Sequence, residues 1–145
     1  MASSPLRVGI IGAGYIATWH AETIKGLAGA ELVAICDMAA GAAEGLASRF
    51  GARAYTDLDQ MIAEANLDAV HILTPPDSHC NLAVKCAAAG LHCFVEKPVG
   101  VSAQETATMV QAGRDAGRLM AAGHNFVGMP GYERLKKAAH SGDLG

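Results

Sequence analysis

Six short apolar or β-branched runs are spaced along the chain: Leu6–Ile11, Glu31–Cys36, Ala52–Tyr55, Asp68–Leu73, Leu91–Val95 and Leu119–Gly123. Several are apolar at consecutive rather than alternate positions, the pattern of strands covered by helices on both faces. The segments between them carry helix punctuation. Ser102-x-x-Glu105 reads as a capping box and Asp57 and Asp77 as N-caps, and Gly51, Gly90 and Gly117 sit where helices should stop. Right-handed βαβ crossovers turn this alternation into an α/β fold, a doubly wound parallel sheet of about six strands in the order 3-2-1-4-5-6. We expect one domain over residues 1–145, with residues 1–5 as a tail and residues 124–145 leaving the sheet. No internal repeat, linker or low-complexity segment interrupts the pattern.

The first crossover carries Gly12-Ala13-Gly14-Tyr15-Ile16-Ala17, directly after an apolar strand and opening a helix. In a Rossmann turn Gly12 permits the tight bend, Gly14 lets the backbone approach a pyrophosphate, and Ala17 is small enough for helix to meet strand. The unpaired N–H groups of the helix N-terminus then face the phosphates. Asp37, at the end of the second strand, lies roughly 20 residues beyond the motif, where an acid accepts hydrogen bonds from an adenosine ribose. Met38 rather than a basic residue follows it, so a 2′-phosphate would meet a carboxylate without a cation, and NAD is expected ahead of NADP. The bland alternatives are a plain βα turn for the glycines and a helix cap for Asp37. Ile16, His20, Ile24 and Leu27 share one helical face and read as core, Trp19 as a packing residue, and His20 and His71 as histidines satisfied inside apolar surroundings.

Two further clusters fall at strand ends, where a doubly wound sheet places its ligand crevice. Thr74-Pro75-Pro76-Asp77-Ser78-His79 follows the fourth strand, and Glu96-Lys97-Pro98 follows the fifth. An ordinary capped turn and a surface ion pair are the alternatives for these.

Composition narrows the classes. The chain is 51% hydrophobic and 17% charged, which suits a buried sheet and argues against disorder. Its formal charge is −3 and Lys136–Lys137 is its longest basic run, so the phosphate-neutralising surface of a nucleic-acid binder is missing. No signal-peptide pattern opens the sequence and no stretch approaches the roughly 18 apolar residues of a membrane span, so no membrane partner and a cytoplasmic location are expected. Cys36, Cys80, Cys86 and Cys93 form no C-x-x-C pair and read as buried reduced thiols, and no metal site is expected.

Taken together, G-A-G-Y-I-A, Asp37, T-P-P-D-S-H, E-K-P and G-H-N-F closely resemble the N-terminal domain of the glucose–fructose oxidoreductase, inositol dehydrogenase and rhizopine-catabolism (Gfo/Idh/MocA) family. The resemblance covers nearly the whole chain, and E-K-P at the end of the fifth strand is its most diagnostic motif. It implies Gly12, Gly14, Tyr15 and Ile16 beside the pyrophosphate and nicotinamide ribose, and Asp37 with Met38 at the adenosine ribose. It places Thr74, Pro75 and His79 around the nicotinamide side, Glu96 and Lys97 at the reacting carbon, and Asn125 after the sixth strand. Lys97 is the implied catalytic residue, hydrogen-bonded to the oxygen of a CH–OH group on a sugar, inositol or related polyol during hydride transfer. Two departures stand out. Asn125-Phe126 is followed by Val127 where family members often carry Arg, and the chain runs only to Ser141-Gly142-Asp143-Leu144-Gly145, which resembles the junction into the family's C-terminal α/β domain.

Three readings follow: the nucleotide-binding domain of a dehydrogenase that is catalytically incomplete alone, a dinucleotide-binding or sensing module without turnover, and a methyltransferase. E-K-P and T-P-P-D-S-H favour the first over the third. In the first, Phe126, Val127, Met129 and Leu135 lie on a segment that the missing half would cover, and self-association is expected.

Overall fold

A computed structural model describes residues 4–142. Strands and helices alternate as β1 (Leu6–Ile11), α1 (Tyr15–Lys25), β2 (Ala30–Cys36), α2 (Ala40–Phe50), β3 (Arg53–Tyr55), α3 (Leu58–Glu64) and β4 (Ala69–Ile72). They continue as α4 (Pro76–Ala88), β5 (His92–Val95), α5 (Ala103–Ala116), β6 (Met120–Ala122), a 3-10 turn (Asn125–Gly128) and α6 (Pro130–Ser141). The sheet is parallel throughout, in the order β3-β2-β1-β4-β5-β6. This is the expected Rossmann arrangement, whose order reverses between β1 and β4 and opens a crevice there.

Each face of the sheet has its own core. Val8, Ile10, Leu32 and Ile35 meet Ala17, Ala21, Ile24, Leu46 and Ala47 of α1 and α2. Val70, Ile72, Cys93 and Val95 meet Ala83, Cys86, Met61 and Met109 of the opposite layer. β1 and β2 are therefore buried on both faces, as their unbroken apolar runs predict, whereas β4 and β5 bury alternate residues only. Four strands, β3 to β6, begin a residue later than the apolar runs, and β4 and β6 also end a residue sooner. Asp68 and Leu73, flanking β4, still bond to the carbonyls of Arg7 and Ile11, so pairing outlasts the regular strand.

Helix signals hold in part. Asp57 caps α3 by accepting from the Gln60 N–H at 2.8 Å, and Ser102 caps α5 by accepting from Glu105 at 3.1 Å. Glu105 completes its side of the box one residue further back, on the Val101 N–H. Gly51 and Gly117 end α2 and α5 in the left-handed region. Asp77 is not an N-cap. Pro75 holds that position and Pro76 is the first helical residue, which moves Asp77 into the first turn, where its charge suits the helix dipole.

The stripe expected on α1 holds at Ile24 but is displaced by one position at Ile16 and His20. Ala17, Ala21 and Ile24 are buried, Ile16 and His20 are half-buried, and Leu27 lies beyond the helix and is 55% exposed. The glycine turn brings α1 close against the sheet, so its smallest side chains face inward. Trp19, expected to pack, is also 55% exposed. Cys36, Cys86 and Cys93 are buried and Cys80 half-buried, all as free thiols. Burial, with Asp57 and Asp37 nearby, raises the Cys36 thiol to about 11.

Candidate dinucleotide-binding site

At the carboxyl end of β1 the chain turns sharply. Gly12 has φ +94°, and a Cβ there would lie 3.0 Å from the Leu73 backbone and from the Thr74 methyl carbon, so only glycine fits. Its N–H donates to the Cys36 carbonyl at 2.8 Å, tying the turn to β2. Gly14 differs. Its φ is −74° and a Cβ would meet nothing within 4 Å, so packing does not require glycine there. The absent side chain leaves room in front of the first turn of α1, which has no side-chain cap. An open approach to uncapped N–H groups fits a phosphate.

Asp37 connects this turn to the end of β2. One carboxylate oxygen accepts from the Ala13 N–H at 2.7 Å, the other from the Ala39 N–H at 2.8 Å. The sequence offers Asp37 as a ribose acceptor or a helix cap, and neither reading anticipates that it braces the glycine turn. A carboxylate has about four lone-pair sites, so two remain for hydroxyls. Tyr15 and Met38 are 83% and 96% exposed beside the turn, and Ile16 is half-buried.

The β4 and β5 loops form the other wall. The Thr74 and Ser78 hydroxyls are 2.7 Å apart and Ser78 donates to the Pro75 carbonyl, so the T-P-P-D-S segment is internally braced. Glu96 continues from β5, its N–H donating to the Ile72 carbonyl, and its carboxylate accepts from the Lys97 N–H at 2.6 Å. Lys97 is exposed, and the Lys97–Pro98 peptide is cis. His79 does not line the crevice. It is 1% exposed, and its ring nitrogens lie 2.7 Å from the Thr74 carbonyl oxygen and 3.1 Å from that of Pro98. Gly123 went unrecognised as a site residue: a Cβ there would sit 2.8 Å from the Glu96 carboxylate, so glycine lets Glu96 lie against β6.

A cavity of about 490 Å³ adjoins this wall, lined by Ile16, Trp19, His20, Phe94, Glu96 and Asn125 among others. His20 and His71 share a hydrogen bond between Nδ1 atoms at 2.9 Å, and His71 stacks on Phe94. Burial lowers both imidazoles. Glu96 partly opposes this for His20, whereas His20 adds to it for His71, which reaches about 4. Among the described residues no group of three or more His, Cys, Asp or Glu gathers to hold a metal ion.

Gly12, Gly14, Tyr15, Ile16, Asp37, Met38, Thr74, Pro75, Glu96, Lys97 and Asn125 all follow the carboxyl ends of strands, with His79 buried, and of these Ile16, Glu96 and Asn125 line the cavity. Known proteins share this framework. The inositol 2-dehydrogenase of Rhizobium meliloti is 35% identical over 140 residues, covering 97% of this chain and 42% of that protein. The UDP-N-acetylglucosamine 3-dehydrogenase of Acidithiobacillus ferrooxidans is 31% identical, covering 92% of this chain and 41% of that one. The WlbA dehydrogenase from Bordetella pertussis, solved with NADH and UDP-GlcNAcA, superposes with a TM-score of 0.90 at 31% identity, over 98% of this chain and 41% of its own. The chain therefore spans about two fifths of the length of these relatives. Residues 6–124 match the model of the GFO_IDH_MocA oxidoreductase family, NAD-binding Rossmann fold, and the chain belongs to that family as its nucleotide-binding domain.

Proposed function

We propose that this chain binds NAD across the carboxyl ends of β1, β2, β4 and β5, as the nucleotide-binding part of a dehydrogenase acting on CH–OH groups of a sugar, inositol or related polyol. The observation that carries the reading is Asp37, held on the Ala13 and Ala39 N–H groups beside an uncapped helix N-terminus. Gly12 and Gly14 shape the pyrophosphate cradle with Tyr15 and Ile16, and Asp37 and Met38 meet the adenosine ribose. Thr74, Pro75, Glu96 and Asn125 border the nicotinamide.

NAD supplies the hydride-accepting carbon. This chain's part is to orient the ring and to present Lys97, whose amine would accept the proton of the reacting hydroxyl as hydride leaves the carbon, and return it in the reverse direction. Substrate-bearing surface is expected from the remaining three fifths of such a protein. In support, α6 buries none of its side chains, and Phe126, Val127, Met129, Tyr132 and Leu135 are exposed together. Without a covering partner this surface should promote self-association. No described helix is long and apolar enough to cross a membrane, and a cytoplasmic location is proposed.

A binding or sensing module without turnover is the second reading, supported by the same crevice. Calorimetry with NAD, an NADH absorbance assay against a polyol panel, and light scattering test the proposal. Binding without turnover is expected of this chain alone, and absence of NAD binding would overturn both readings.

A further inference from the structure

We propose that His79 is a positioning residue, a clasp that fixes the two loops bordering the nicotinamide side relative to each other and so sets where Lys97 stands. The proposal rests on the dinucleotide reading of the crevice. Among the described residues His79 is the only polar or charged side chain that is buried. Burial of an imidazole is unfavourable unless its nitrogens are bonded, so an apolar side chain would serve packing alone at lower cost. What the imidazole adds is two polar atoms on separate edges of one rigid ring.

Those two edges face different loops. Nε2 lies 2.7 Å from the carbonyl oxygen of Thr74, after β4, and Nδ1 lies 3.1 Å from that of Pro98, after β5. His79 itself sits in the first turn of α4, whose start is already braced by the Thr74, Pro75 and Ser78 contacts. Both partners are acceptors, so each nitrogen must carry its hydrogen for the ring to donate to both carbonyls and tie the second loop to the braced first one; with a single N–H it would hold only one of them.

Lys97 hangs between two fixed points. On one side the Glu96 N–H is tied to Ile72 at the end of the sheet, at 3.0 Å. On the other, the Pro98 carbonyl is tied to His79. The lysine is exposed, and its own N–H bonds only to the neighbouring Glu96 carboxylate, so these flanking ties determine its place. Loss of the clasp should release the Pro98 end, disturbing the nicotinamide side while leaving the glycine turn and Asp37 unaffected.

The test compares two ligands. Wild-type chain and His79→Phe, which keeps a ring but no polar atom, are titrated calorimetrically with NAD and with ADP-ribose, which lacks the nicotinamide. NAD affinity should fall about tenfold in the variant, with ADP-ribose affinity unchanged within about twofold. His79→Gln, which retains a donor for one carbonyl, should lie between, and it carries the same comparison if His79→Phe does not fold. Parallel losses for both ligands, as general destabilisation gives, would overturn the proposal, as would no loss for either. Wild-type chain that bound neither ligand would overturn the dinucleotide reading and the proposal with it, an outcome distinct from those two.

Discussion

Replacing Asp37 by Asn separates the two jobs its carboxylate holds. A cofactor bearing a 2′-phosphate would bring a second negative charge beside it, and two unit charges about 4 Å apart interact by about 4 kcal/mol at an effective dielectric near 20. Asp37 is half-buried rather than enclosed, so screening reduces this to about 2 kcal/mol, roughly thirtyfold in affinity. No nearby arginine is poised to compensate. Arg53 pairs with Glu64 at 2.6 Å and lies over Tyr55, while Arg49 reaches Thr18 and the Phe50 ring. Asp37→Asn should therefore raise the NADP-to-NAD affinity ratio about thirtyfold. The Asn amide also turns a donor towards either Ala13 or Ala39, whose N–H loses its acceptor, so stability should fall by about 1–3 kcal/mol. Calorimetry with both cofactors and a thermal melt measure the two effects together. A variant whose cofactor ratio is unchanged, or wild-type chain that binds NADP as tightly as NAD, would refute the electrostatic argument.

Three further outcomes are expected. Gly12→Ala forces a side chain onto a backbone at φ +94° with carbon contacts at 3.0 Å, and should cost more than about 1 kcal/mol in a denaturant melt and weaken NAD binding. The His71 imidazole, lowered from 6.5 to about 4, binds fewer protons folded than unfolded, so its contribution is present above about pH 6.5 and is lost as pH falls towards 4. The loss approaches about 3 kcal/mol, or some 10 °C in Tm, and His71→Phe should flatten that slope; an identical slope in the variant would contradict it. In a full-length relative, substitution to Met at the position matching Lys97 should reduce turnover by several orders of magnitude with less than about tenfold change in NAD affinity, which steady-state kinetics and calorimetry would separate.

The sheet order and the crevice were legible in the sequence because buried parallel strands must be apolar on both faces and the glycine turn tolerates few alternatives. Gly12 and Asp37 carried most of that signal. What stayed hidden depends on distance rather than pattern. Periodicity on α1 pointed to Ile16 and His20, but the close approach of the helix selected Ala17 and Ala21. Asp77 has the residue type of a cap, yet the preceding prolines set the helix start. The T-P-P-D-S-H motif drew attention to His79 without revealing that both nitrogens turn to backbone carbonyls. Gly123 stands beside a strand end like any other glycine until Glu96 is seen lying over it. The motif at Ser141 continues into residues 143–145, which lie outside the described residues.

The central claim is that one crevice at the carboxyl ends of the strands holds a dinucleotide, and a titration of the isotopically labelled chain with NAD, followed by backbone amide resonances, tests it most directly. The account predicts saturable shifts at Gly12–Ile16, Asp37–Ala39, Thr74 and Glu96–Lys97, with α3 and the outer face of α5 unmoved. No saturable shifts, or shifts confined to residues outside that crevice, would contradict it.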